Sequence, residues 1–138
     1  MVVNLITGRS KKLSLYSDFK KNLEISPLSD DLAVFKDEDA VKESIKNLIL
    51  TDRGERLMRP NIGGNIRAQL FETITPATLK IIEDQVRTTI NLYEPRCNLI
   101  DVVVSTPRDQ NTVLIKVQFY INNQEMPVEL DVFLERTR

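Results

Sequence analysis

The sequence predicts an α+β fold in which two main helices pack on one face of an antiparallel meander of three or more strands. Three observations carry this. Apolar residues recur at helical spacing in two stretches, Val41 to Ile49 and Leu79 to Tyr93. After Pro95 the apolar pattern changes from helical spacing to strict alternation, across three segments. Polar, turn-rich joints at Pro107 to Asn111 and Asn122 to Glu125 separate those segments.

Taken in order, residues 1–23 carry Arg9, Lys11, Lys12, Lys20 and Lys21 between scattered apolar positions without a clean period. They read as an N-terminal arm, mobile or ordered by a partner, and residues 24–138 as a single domain. Pro27 and Ser29-Asp30-Asp31 mark a turn, after which Leu32 to Phe35 form a short strand. Asp37-Glu38-Asp39 open the first helix, where carboxylates cap free N–H groups and suit the positive end of the dipole. Val41, Ile45, Leu48 and Ile49 form its apolar stripe, and Gly54 suits a left-handed residue after its end.

Residues 55–73 look irregular, punctuated by Pro60, Gly63 and Gly64 and anchored by Leu57, Met58, Ile62, Ile66, Leu70 and Phe71. A loop of that length implies a function or a packed irregular segment. Thr75-Pro76 then start the second helix, with Thr at the N-cap and Pro where its missing N–H costs nothing. Leu79, Ile82, Val86, Ile90 and Tyr93 make one buried face, and Pro95 stops the helix. In the meander, Ile100, Val102 and Val104 face the helices from the first strand. Val113, Ile115, Val117, Phe119 and Ile121 do so from the second, and Val128, Leu130, Val132 and Leu134 from the third.

Composition removes several function classes. The chain has 138 residues, room for one domain with a real core. Nineteen Lys plus Arg against twenty Asp plus Glu give a net charge of -1, so there is no global field for nucleic acid. There is no His, which excludes Ser-His-Asp and Cys-His catalysis and His-ligated zinc within the chain. The single Cys97 makes neither an internal disulfide nor a structural zinc site. The apolar runs fall far below the roughly 20 residues of a membrane span. Met1 to Ile6 is too short for a signal peptide, so the expected site of folding is a reducing cytoplasm. No cofactor and no metal are expected.

Local chemistry is sparse. Asp52, Glu55, Glu72 and Glu94 lie near turns and offer carboxylates for a glycosidase-like pair, but in a chain with twenty acids such candidates arise by chance. No acid sits in an obviously apolar setting that raises its pKa towards that of a general acid. Gly63-Gly64 lacks the Lys-Ser/Thr of a phosphate loop. Cys97 reads as a packing residue. Arg53, Arg56, Arg59 and Arg67 are the densest basic group; without interleaved aromatics they suit a partner's carboxylates better than nucleic acid. Tyr93-Glu94-Pro95-Arg96 is either a plain helix stop with surface charges or a rigid corner that displays one acid and one base. Local grammar leaves both open.

Those residues also carry a resemblance. Glu94-Pro95-Arg96 after the long helix resembles the hallmark of the baseplate wedge and sheath-initiator family of contractile phage tails, which includes a type VI secretion baseplate component. Tyr16-Ser17-Asp18-Phe19 and Asp31-Leu32 resemble the family's N-terminal pattern. The stretch from Asn47 to Gly63, with Gly54-Glu55-Arg56, Pro60 and Gly63, resembles its central block, and Leu70-Phe71-Glu72 the element that follows. Asn61-Ile62 departs from the aromatic that the family often places before the glycine.

The resemblance implies a structural part of a virion tail baseplate, assembled in the host cytoplasm in several copies around the tail axis. The implied fold is that of the sheath's own interlocking domain. Implied partners are the helical core bundle of the other wedge proteins, the tail sheath protein, and the tail tube or hub, with no nucleic acid or membrane. Glu94, Pro95 and Arg96 are the implied docking residues, while Gly54, Arg56, Pro60 and Gly63 shape the loop. The sheet edge would take sheath arms by strand addition. The alternative is a lysozyme-like cell-wall hydrolase of the tail.

Overall fold

The computed structural model describes residues 14–27, 30–106, 112–122 and 124–135. Two strands come first, β1 (Ser17–Phe19) and β2 (Val34–Lys36), followed by helices α1 (Glu38–Leu50), α2 (Ile66–Leu70) and α3 (Pro76–Tyr93). Strands β3 (Cys97–Ser105), β4 (Thr112–Ile121) and β5 (Val128–Glu135) close the chain. β3, β4 and β5 form an antiparallel sheet in that order, and β1 pairs with β2 in a separate ribbon. α3 lies over β3, and α1 packs on α3 and reaches β5, so the helices cover one face as expected.

The core is built from the apolar stripes. α1 buries Ala40, Val41, Ile45, Leu48 and Ile49, against Ile82, Val86 and Ile90 of α3. Each fully buried Ile contributes about 1.5–3 kcal/mol over leaving it in water. β4 is central and buries Val113, Ile115, Val117, Phe119 and Ile121, while β5 buries Val128, Val132 and Leu134. Lys116, Gln118 and Tyr120 alternate with them on the wet face.

Several expectations are corrected. Leu79 and Tyr93 are only half-buried; Thr78 and Thr89 take buried positions instead, their hydroxyls satisfied by the carbonyls of Thr73 and Gln85. Ile100 does not face the helices. A bulge between Leu99 and Asp101 inserts one extra residue, so Cys97, Leu99, Val102 and Val104 point inward and Ile100 is 41% exposed. Residues 66–70, expected to be irregular, form the short helix α2, which buries Ile66 and Leu70, whereas Leu57, Met58 and Phe71, expected as anchors of the same stretch, are exposed.

The start and end of α1 also differ from expectation. Asp37 has a left-handed φ of 47°, and its carboxylate accepts from Leu15 N and Tyr16 N instead of capping the helix. Asp37 N–H in turn donates to Tyr16 O, which staples the first strand to the helix start. At the far end the chain leaves the helix at Thr51 in an extended conformation, so Gly54 is not its C-terminal left-handed residue. Residues 1–13 of the expected arm, Ser29, and the joint Pro107 to Asn111 lie outside the described residues. Within the described part of the expected arm lies β1, which is too short for its period to show in sequence.

Candidate functional site

α3 stops where the sequence says it must. Thr75 caps its N-terminus, accepting from Thr78 N, and Pro95 lies just beyond Glu94, its C-cap. Glu94 N–H completes the last turn by donating to Ile90 O, and this places its side chain in the interior, 2% exposed. The chain then doubles back. Arg96 grips the Glu94 carboxylate with two donors, Nε to Oε1 at 2.6 Å and Nη2 to Oε2 at 2.7 Å. Ser44 of α1 donates a third hydrogen bond to Oε2 at 2.6 Å.

The three carbonyls of this corner are all engaged. Cys97 Sγ lies against Glu94 O, Asn122 Nδ2 donates to Pro95 O, and Asn122 N–H donates to Arg96 O. The end of β4 therefore clamps the start of β3, and the Pro95 ring is left on the surface. On the outer side, the Tyr16 ring lies 5.7 Å from the Arg96 guanidinium, a cation–π distance. Asp37 holds the Tyr16 backbone, so the first strand, α1, α3 and β3 all meet here.

The electrostatics follow from that geometry. Burial pushes the Glu94 carboxyl up, but the hydrogen bonds from Arg96 and Ser44 and the Arg96 charge outweigh it, leaving the pKa below the ordinary value. Arg96 is raised in turn, mainly by its bond to Glu94. Neighbouring Cys97 is pushed up to about 11 by burial and by the Glu94 charge. Its thiol is a packing group with almost no thiolate at neutral pH.

The loop residues fall into a second structure beside the corner. Gly54 N–H donates to Pro60 O, which closes the loop at its neck. Gly63 has φ of +123°, and a Cβ there would sit 2.4 Å from Thr51 O, so the backbone passes where only glycine fits. Tyr93 Oη donates to Asn61 O across 32 residues, and Ile62 is half-buried, so this stretch of the loop is anchored to α3. Arg56 gives its carbonyl to Arg59 N–H, and its side chain lines a cavity of about 340 Å³ together with Arg59, Ser44 and Tyr93. The two groups of expected site residues thus share a wall through Ser44 and Tyr93.

The other candidates do not assemble into chemistry. Asp52 and Glu55 are bound up in a local turn in which Glu55 accepts from Asp52 N, and Glu72 is exposed after α2. Arg53 spends its Nε on Gly63 O. Among the described residues no group of three or more His, Cys, Asp or Glu is placed to hold a metal ion, and no helix is long and apolar enough to cross a membrane. Sequence reasoning gave Ser44 no role, and read Asp37 as a helix cap, Asn122 as a turn residue and Tyr16 as part of the N-terminal pattern, not as members of this corner. Ser44 lies 50 residues from Glu94, and no spacing rule connects them.

Comparison with known proteins gives a consistent result. Residues 36–126 match the family described as baseplate wedge protein gp25. Baseplate wedge protein gp25 of Enterobacteria phage T4 is 27% identical over 115 residues, covering 83% of this chain and 86% of the relative. A crystallised protein from Geobacter sulfurreducens, provisionally named a tail lysozyme, superposes with a TM-score of 0.66 at 32% identity, over 73% of this chain and 92% of that one. The fold recurs in the anti-feeding prophage baseplate, with a TM-score of 0.61 at 22% identity, over 89% of this chain and 87% of that one. It recurs again in the type VI secretion baseplate complex, with a TM-score of 0.56 at 14% identity, over 71% and 92%.

Proposed function

This chain belongs to the baseplate wedge protein gp25 family, and from that premise we propose that it is a structural subunit of a contractile-tail baseplate that docks on the inner wedge core and starts the sheath by strand addition. The observation that carries the second role is the open sheet. β3 and β5 each pair with β4 alone, so both present a row of backbone groups without a strand partner among the described residues. The bulge at Leu99 and Asp101 interrupts β3, whereas β5 runs without a break from Val128 to Glu135. A groove of about 630 Å³, lined by Leu50, Phe71, Phe133 and Leu134 among others, lies against the end of β5. An incoming strand would take its affinity from β5 backbone groups and its register from that groove.

The wedge-docking role falls to Glu94, Pro95 and Arg96. Two of the five guanidinium donors of Arg96 are committed to Glu94, and its side chain remains 30% exposed. The rest of the fork points a rigid, charged edge at a partner's carboxylate or helix-end carbonyls, with Glu94 as the group that orients it. Gly54, Arg56, Pro60 and Gly63 shape the neighbouring loop in this reading. The partners are the core bundle of the other wedge proteins and the sheath protein, with the tube or hub as a further contact, in several copies about the tail axis.

The test is a pull-down of purified sheath protein by the full chain and by Leu130→Pro and Asp131→Pro. Consecutive residues of a strand aim their N–H groups to opposite sides, so one of these faces β4 and the other faces away. We expect the outward variant to melt like the parent and to lose the sheath. Equal capture by that folded variant overturns strand addition at β5. No capture by the parent, where sheath polymerises on tubes, leaves only the wedge-docking role.

A second reading, a cell-wall hydrolase, draws on the name given to the Geobacter sulfurreducens protein. It needs an acid with a raised pKa, and the buried acid Glu94 is shifted the opposite way by Arg96. Clearing of a peptidoglycan suspension by the purified chain, abolished by one carboxylate substitution, is the result that would favour it.

A further inference from the structure

We propose that the turn Arg56–Arg59 is a second docking element, which takes an Asp or Glu side chain of a partner protein into the cavity beside α1 while the partner's apolar surface covers Leu57 and Met58. This rests on the reading of the chain as a protein-docking subunit and adds a surface and a recognition chemistry to it.

Three observations point there. Leu57 and Met58 occupy the central positions of a turn closed by Arg59 N–H on Arg56 O, and they are 96% and 95% exposed. Central turn positions project from the body, and large apolar side chains held almost wholly in water mark a contact surface more than a fold requirement. The turn is also braced. Gly54 to Pro60, Ile62 to Arg59, Arg53 to Gly63 and Tyr93 to Asn61 are all hydrogen-bonded, so ordering costs are met before a partner arrives.

The third observation is charge. Arg56 and Arg59 both line the cavity of about 340 Å³ next to Ser44, Asn47 and Tyr93. Among the described residues neither guanidinium has an ion pair or a side-chain hydrogen bond, whereas Arg87 and Arg96 in the same domain each hold a carboxylate. Two unpaired planar forks facing one cavity, on a chain whose net charge is -1, form a local site for an anion that bidentate donors can grip. Asp18 on the same wall disfavours a phosphate dianion more than a single carboxylate. A nucleic-acid strand would leave Leu57 and Met58 uncovered and find no aromatic side chain to stack on in this turn. A protein segment supplies both the carboxylate and the apolar cover.

The test uses the full ¹⁵N-labelled chain and the arginine Nε–Hε signals in solution NMR. The probe is the blocked peptide acetyl-Leu-Glu-Glu-Leu-amide, with its Gln-for-Glu counterpart and inorganic phosphate as comparisons. We expect saturable movement of the Arg56 and Arg59 signals at millimolar Glu peptide, weakened at least about tenfold with the Gln peptide or in the Arg56→Gln/Arg59→Gln variant. Leu57→Ser/Met58→Ser should weaken the same binding while leaving the melt unchanged. Equal movement with both peptides, equal movement of exposed Arg67, a response to phosphate alone, or no saturable movement each overturns the proposal. Neither sheath nor wedge protein is present in this titration, so its failure is distinct from a failure of the pull-down.

Discussion

Arg96 and Glu94 form a two-pronged ion pair across a single proline, with both carboxylate oxygens 2.6–2.7 Å from guanidinium nitrogens. A pair two residues apart closes only if the chain reverses between them, and Pro95 at the end of α3 provides that reversal. Because Glu94 is buried and also accepts from Ser44, the pair ties the α3–β3 corner to α1 as well as shaping the outer surface.

Substitutions here should therefore act on stability as well as on the proposed docking. Glu94→Gln keeps the shape and removes the charge; we expect a loss of about 2–3 kcal/mol, given that Arg96 stays partly solvated. For a chain of this length that lowers the melting temperature by several degrees. Arg96→Ala should cost at least as much, since it leaves a buried carboxylate without its main partner. In urea melts the double variant Glu94→Gln/Arg96→Gln should cost less than the sum of its singles, and strict additivity would show that the pair contributes little.

Acid should remove the same contribution. The folded pKa of Glu94 lies below its unfolded value, so the folded state binds its proton less readily. The stabilisation is complete above the ordinary Glu value of about 4.3 and is lost as pH falls below it through the lowered folded value. The gap between the parent and Glu94→Gln should stay constant from neutral pH down to about 5 and narrow below 4. Arg96→Ala should behave in the opposite sense, because burial now dominates and the uncompensated carboxylate costs more as pH rises. Urea melts across that range check both signs.

The period-based part of the fold was legible in the chain. Val113 to Ile121 alternate as strict sheet residues, and Thr75-Pro76 fix the start of α3 through capping chemistry that is local in sequence. What failed was set by single insertions and by long-range contacts. The bulge at Leu99 and Asp101 turns Ile100 outward, and nothing in a run of β-branched residues marks where one extra residue will fall. Asp37 looks like a helix cap in sequence, yet its positive φ turns the carboxylate towards residues 15 and 16. Within the candidate site, Pro95 and its flanking charges were visible as a corner. That Glu94 is interior was not, because its partner Ser44 lies 50 residues away in sequence.

The two glycines of the loop should differ sharply. Gly54 has φ of +87° with nothing within 4 Å of the Cβ position, so Gly54→Ala meets only the backbone cost of a left-handed residue, about 1–2 kcal/mol. Gly63→Ala adds a clash with the Thr51 carbonyl and the Asp52 backbone, atoms that cannot swing aside. We expect Gly63→Ala to be the more destabilising of the two by a clear margin in thermal melts. Equal losses would mean that the backbone shifts at no cost, and that this part of the loop is softer than its contacts indicate.

Cys97 offers a direct probe of the corner's rigidity. The residue is 8% exposed, its thiol lies against Glu94 O, and burial and the Glu94 charge push its pKa up to about 11, so both access and thiolate fraction oppose alkylation. Iodoacetamide labelling of the native chain near neutral pH should be slow and should be limited by opening of the α3–β3 corner. Glu94→Gln should speed it, because it loosens the clamp over the thiol and removes a charge that raises the thiol pKa, while Lys80→Ala should not, since Lys80 sits on the exposed side of α3. Labelling that is fast in the parent, or indifferent to Glu94→Gln, would show that the corner opens independently of the ion pair and would remove the pair from its proposed role as the rigid base of a docking edge.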